Sequence, residues 1–363
     1  MQIILFGAII LGILIYLANQ QNEQQEPSRI LLMMLYGLVA IEIYLGINVI
    51  TLALAPRLLD PEALDMDLSL FADVSALSAL LFLILASVVA AICLAVIRSR
   101  VVRVWIQQHI VRRDAGQKKQ KRYNPDSWVH TTAIVLALFI WLFTFAEFVL
   151  TGGIEGLAEN LQFNTPTTGL LFATMIIYVL IALLGVGFWI RRDSDNALQR
   201  LGLRMPEVED WRIGLAAGFG LFLFQAAVVG IWTLIASPET FAEQTAASEQ
   251  LFTAFSGSIF AGFALALTAA IGEEILFRGA LQPVFGLLLT SIFFALLHTQ
   301  YTLTPASFVI FGVALGLGWL RQRFTTTTAI IAHFVYNFIP FVLFWLFSFM
   351  PEAEQAAHLL IGA

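Results

Sequence analysis

Cysteine is all but missing from this sequence. Cys93 stands alone among 363 residues, which excludes an intrachain disulfide and any cysteine-rich metal site. Charge is scarce too: Asp, Glu, Lys and Arg together make up 12% of the chain, about half the share usual in a soluble domain. The N-terminus lacks the basic n-region and small-residue cleavage site of a signal peptide, so the first apolar run reads as a retained helix. No repeat relates the two halves, which leaves an inverted-repeat transporter without direct support.

Apolar residues take the place of charge, at 59% of the chain and a mean hydropathy of +0.85, and they come in runs. A run of about 20 apolar residues crosses the hydrocarbon core as a helix, because lipid offers the backbone no other hydrogen-bond partner. Ten such runs are expected: 2–18, 30–55, 70–97, 129–151, 168–190, 213–236, 254–284, 287–303, 306–320 and 326–349. The fold class is therefore all-α, a polytopic integral membrane protein of about ten transmembrane helices.

The placement of charge tests this reading independently. Of the 19 Lys and Arg, nine fall between Arg98 and Arg122 and five between Arg191 and Arg212, with Arg29, Arg321 and Arg323 in other loops of the same side. The opposite loops hold Arg57, while Asp60, Glu62, Glu155, Glu159, Glu239, Glu243, Glu249, Glu352 and Glu354 gather there. By the positive-inside rule the basic loops are cytoplasmic and both termini face out. The net charge of −6 averages two unlike faces. The basic loop reads as an anchor against anionic lipid rather than a nucleic-acid patch, and Val101, Val102, Trp105, Ile106 and Ile110 suggest a short interfacial helix within it. Four parts are expected: N-terminal helices with the basic loop at 1–128, a connecting helix and outer loop at 129–167, a C-terminal six-helix unit at 168–349, and a short outer tail at 350–363. A prokaryotic plasma membrane is the expected location.

Arg278 is the one cation left inside a span, and it shares that span with Glu273 and Glu274. Each ionisable side chain at mid-span costs about 2.5–3.5 kcal/mol unless it pairs, meets water or does chemistry. On a helix Glu274 and Arg278 are i, i+4, in the favourable order for an ion pair, and Glu273 points about 100° away. The chain then turns near Gly286. Glu274 lies twelve residues before that glycine and His298 twelve after it, so an antiparallel pair places both at about 18 Å from the turn. Phe294 precedes His298 by one turn. In the last span His333 and Asn337 are again i, i+4 and project from one face. Three elements thus bring two carboxylates, two imidazoles, a guanidinium and a carboxamide to one stratum, expected to open towards the cytoplasm.

Peptide hydrolysis needs an activated water, a proton for the leaving amine and donors for the oxyanion. Glu273 suits the base, His298 a partner in water activation, Asn337 an oxyanion donor with His333 beside it, and Arg278 a clamp on Glu274. Glu273-Glu274-Ile-Leu-Phe-Arg278, Phe294-Ala-Leu-Leu-His298 and His333-Phe-Val-Tyr-Asn337 resemble, in order, the EExxxR, FxxxH and HxxxN motifs of the CAAX-protease and bacteriocin-processing family. These are intramembrane glutamic endopeptidases related to the eukaryotic enzyme that trims prenylated CAAX proteins. The resemblance covers about residues 168–349. It implies that those six helices form the catalytic bundle, with Glu273, His298, His333 and Asn337 catalytic and Glu274, Arg278 and Phe294 supporting. It also implies a membrane-associated protein or peptide as substrate, prenylated or not, and no cofactor. Glu273, His298 and His333 form the alternative zinc set, although no H-E-x-x-H occurs. Two rival readings are a non-catalytic membrane protein that binds a peptide in the same cavity, as an immunity or scaffold protein, and a proton-coupled transporter.

Overall fold

A computed structural model describes residues 2–21, 26–58, 74–111, 123–302 and 304–347. The expected outer tail 350–363, the outer charges Asp60, Glu62, Glu352 and Glu354, and the polar stretch from Arg112 to Arg122 lie outside the described residues. What is described is helical throughout, and all ten expected runs contribute a helix.

The N-terminal half contains α1 (Gln2–Gln20), α2 (Arg29–Leu58), α3 (Ala76–Arg98), the short α4 (Arg100–Trp105) and α5 (Trp128–Leu150). Leu14, Leu35, Val49, Phe82, Cys93, Val135 and Leu142 form one continuous core between α1, α2, α3 and α5. Glu42 is fully buried in it, with the Cys93 thiol 3.5 Å away. The expected interfacial segment is α4 with its extension Ile106–Ile110, which leaves Val101, Trp105 and Ile110 exposed. Arg103 turns inward instead and donates to the Val96, Ile97 and Pro125 carbonyls, closing the C-terminal end of α3.

The C-terminal half continues with α6 (Ile154–Phe163), α7 (Thr168–Gly185), α8 (Ser194–Leu201), α9 (Val208–Ile235), α10 (Pro238–Ser256), α11 (Ile259–Phe285), α12 (Leu287–Leu296), α13 (Ala306–Arg323) and α14 (Thr326–Phe347). Among the described residues seven helices are long and apolar enough to cross a membrane: α2, α3, α5, α7, α9, α11 and α14. The other three expected spans are shorter or more polar: α12 stops at Leu296 and α13 carries Arg321 and Arg323 at its end. Three helices were not expected, because α6, α8 and α10 are too polar to show as apolar runs. The caps of α8 and α10 were nevertheless readable. Ser237 accepts from the Thr240 N–H ahead of Pro238, and Asp193 accepts from the Asn196 N–H, the ordinary way such helices begin.

Small residues set how closely the C-terminal helices approach, as is usual where lipid removes the hydrophobic drive between them. A Cβ at Gly218 of α9 would fall 2.6 Å from the Ala332 carbonyl oxygen of α14, and one at Gly272 of α11 would fall 3.2 Å from Met175 Cα of α7. The helix that carries the two glutamates and the one that carries His333 and Asn337 are thereby pinned against their neighbours.

Candidate active site

The site is built around a departure from regular helix. Within α11, residues Glu274–Leu281 wind as a π-helix, a local underwinding frequent at functional sites. Glu274 and Arg278 are 0% and 1% exposed. Glu274 Oε2 lies 3.3 Å from Arg278 Nε, and Oε1 lies 2.9 Å from His333 Nδ1. The contact with Arg278 is an ion pair without the alignment of a hydrogen bond. The guanidinium also donates from Nη2 to the Ala314 carbonyl at 3.3 Å and lies over the Phe294 ring, whose centroid is 4.5 Å from Cζ, a cation–π contact.

Phe294 is the hub. Besides Arg278, its buried ring meets His298 at 4.5 Å and His333 at 6.2 Å between centroids. Its carbonyl lies 2.8 Å from His298 Nδ1. A carbonyl can only accept, so Nδ1 carries the proton and Nε2 of a neutral His298 is left with its lone pair. α12 ends at Leu296, so His298 is placed by a turn that enters the short helix Thr299–Tyr301, not by a helix running on as expected. The turn at Gly286 is as expected, with a positive φ of 84°.

Glu273, Phe294, His298, His333 and Asn337 line one cavity of about 320 Å³. Glu274 and Arg278 lie behind it, buried. Three motifs from three parts of the sequence therefore meet, with the two adjacent glutamates divided between cavity and scaffold. Among the described residues no group of three His, Cys, Asp or Glu side chains is spaced to hold a metal ion, and His333 meets Glu274 through Nδ1.

From the catalytic residues the lining runs towards the helix ends opposite the basic loops. Gln225, Val229 and Trp232 of α9, Leu265 and Ala269 of α11, Val309 and Val313 of α13, and Pro340 and Phe341 of α14 carry the cavity away from those loops. The sequence reading passed over Gln225, whose side chain bonds the Tyr336 hydroxyl, and the polar face of α10 (Gln244, Thr245 and Ser248) that lines the same cavity. Gln225 had a signal, an amide in a nearly wholly apolar run. Trp232 of α9 lines the cavity too.

Such an arrangement defines a polytopic helical membrane protein with a buried ionisable site of acid, imidazole and amide. Residues 255–339, which contain all three motifs, match the family described as type II CAAX prenyl endopeptidase Rce1-like. Through this segment the chain carries a domain of the CAAX-protease family, and the match supports an intramembrane CAAX endopeptidase in general terms. The helices α1 to α9 lie outside the matched segment. Comparison with curated proteins and with solved structures found no match.

Proposed function

We propose that the chain is an intramembrane glutamic endopeptidase, hydrolysing a peptide bond of a membrane-associated protein or peptide within a catalytic unit at 168–349. The carrying observation is that Glu273, His298, His333 and Asn337 face one cavity while Glu274 and Arg278 do not. A transporter relay or a peptide-binding scaffold has no need of that division between a free acid and a clamped one.

In this reading Glu273 takes a proton from a water held between it and His298 Nε2 as the water oxygen attacks the carbonyl carbon. The proton then passes to the departing amine, as general acid–base catalysis requires. Asn337 offers amide hydrogens to the oxyanion. His333, with Nδ1 held by Glu274, has Nε2 remaining; it donates to the oxyanion when the ring carries both protons. Glu274 and Arg278 fix the ring and the π-helical turn.

The test compares wild type with Glu273→Gln in native membranes by substrate profiling. Glutamine keeps size and polarity and removes the base, so turnover is expected to fall by at least about 10²–10⁴. Normal cleavage by Glu273→Gln would sink the mechanism.

A further inference from the structure

Ion pairs account for some arginines on the basic-loop side and not for others. Arg100 pairs with Asp126, and Arg204 with Glu207 and Asp210. Arg192 between α7 and α8, Arg200 on α8 and Arg321 near the end of α13 have no acidic partner among the described residues. The acids closest in sequence do not serve: Asp193 caps α8 and Asp195 is exposed. The positive-inside rule asks only that arginines stay on one side, where water solvates them. It does not ask that they be half-buried within reach of one another, as these are.

Each is held in place by the backbone. Arg200 Nη1 donates to the Gly279 carbonyl at 3.0 Å, and Nη2 lies 3.5 Å from that of Ala280. Burial, with the Arg192 and Arg321 guanidiniums nearby, lowers the pKa of Arg200 to about 10. Arg192 donates to the Val186 carbonyl. Arg321 lies against Gly202 at the end of α8, where a Cβ would fall 2.5 Å from Cζ, and its Nε is buried without a hydrogen-bond partner. His130, in the first turn of α5, is within electrostatic reach of Arg200. Its Nδ1 accepts from the Asn124 N–H at 2.9 Å, so the proton is on Nε2, which donates.

Guanidiniums gathered out of water repel, and an unpaired buried charge is costly. A bound anion removes both costs. Several donors with no acceptor among them, arginine forks above all, suit the oxygens of a phosphate. None of the four lines the catalytic cavity. They approach the site from behind it, since Gly279 follows Arg278 within the π-helical turn. A Cβ at Gly279 would fall 3.1 Å from the Leu201 carbonyl oxygen, so α8 is seated on the segment that carries Glu274 and Arg278.

We propose that Arg192, Arg200, Arg321 and His130 form a binding site for a phosphate group, on the basic-loop side and separate from the catalytic cavity. The group belongs to an anionic lipid headgroup or to a soluble phosphate, and once bound it holds α8 against the π-helical segment.

The test is the melting of the purified full-length protein in an uncharged maltoside detergent, at constant ionic strength. Phosphatidylglycerol, phosphatidylcholine or inorganic phosphate is titrated in. A ligand of the folded state raises the melting temperature saturably. That rise is expected with phosphatidylglycerol or inorganic phosphate, and with phosphatidylcholine, whose headgroup carries its own cation, only at about tenfold higher concentration. A response to the lipid without one to inorganic phosphate assigns the site to a headgroup, and the reverse assigns it to a soluble phosphate. Arg321→Gln and Arg192→Gln should each need about tenfold more ligand for the same rise, the worth of one charge-assisted hydrogen bond. Arg212→Gln, which removes an exposed arginine of the same face, should respond as wild type. Without anion, Arg321→Gln should melt no lower than wild type, because the cation it removes has no partner. No rise with either phosphate source overturns the inference. So does a wild-type response of Arg321→Gln or Arg192→Gln, or an equal loss in Arg212→Gln, which would mean diffuse attraction to the whole basic face. An anion-free Arg321→Gln melting well below wild type overturns it too, since Arg321 would then be a structural tie. The melting needs no catalysis, so its outcome is independent of the endopeptidase reading.

Discussion

Arg278 and Asn337 should fail in different ways when they are removed. Arg278 is one of two cationic or proton-bearing partners of a fully buried carboxylate, and it has no route to solvent. Arg278→Ala strands Glu274 with His333 alone, and breaking a buried pair by deleting one member costs about 3–5 kcal/mol. Expression and thermal stability in detergent are expected to drop along with turnover; an Arg278→Ala protein as stable as wild type would contradict the clamp. Asn337 is half-buried against the cavity and holds no charge in place. Asn337→Ala should leave the melting temperature nearly unchanged and lower turnover by about 10²–10³, the usual effect of losing one oxyanion donor. Metal dependence is settled by a separate measurement. If Glu273 is the base, purified protein keeps its turnover after exhaustive chelation and shows no stoichiometric zinc by elemental analysis; loss of activity restored by zinc alone would transfer the water to a metal.

At the scale of helices, approach distances do as much as motifs. Gly218 lets α9 lie directly on the backbone of α14, with Ala332 beside His333. Gly218→Ala inserts a methyl 2.6 Å from the Ala332 oxygen and 2.7 Å from Val335 Cβ. Overpacking of this kind typically costs about 1–3 kcal/mol, and it pushes on the helix that carries His333 and Asn337. Lower thermal stability and reduced turnover are expected together; a Gly218→Ala protein with wild-type melting would show that α14 has room to shift. The apolar runs and the three motifs were legible because lipid demands long runs and the chemistry demands polar residues inside them. The pairing of Glu274 with Arg278 was legible from i, i+4 spacing, although the turn that holds it is π-helical and nothing in Glu274–Leu281 announces that. The contact of Glu274 with His333 was not, since 59 residues separate the two. Helix α10 was hidden because it is polar and lies where only a loop was sought, and with it went the wall of the cavity.

Among the described residues the molecule has one large apolar core in the N-terminal half and four smaller ones among the C-terminal helices. A polar tie between them runs through Asn19, at the end of α1. Its side chain is 1% exposed, donates to the Leu184 carbonyl at 2.8 Å and accepts from Arg191 at 2.6 Å. Leu184 is in the last turn of α7, where its carbonyl also accepts from the Gly187 N–H at 2.9 Å, so α1 adds a second donor to an acceptor with two lone pairs. Asn19→Ala removes one hydrogen bond from the Leu184 carbonyl, which keeps the Gly187 N–H, and one from Arg191, which is exposed. A typical hydrogen bond contributes about 0.5–1.5 kcal/mol net, and a loss of that order in detergent stability is expected. Turnover is a different matter. α7 meets the catalytic helix at Gly272 through Met175 and Tyr178, two to three turns from Leu184. Hydrogen bonds within α7 hold those turns in place whatever happens at its end. Folded Asn19→Ala should therefore cleave within about threefold of wild type, measured per active molecule by titration. A tenfold loss of turnover at unchanged occupancy would mean that the N-terminal helices set the geometry at Glu273 through α7, and that the catalytic unit at 168–349 does not stand alone.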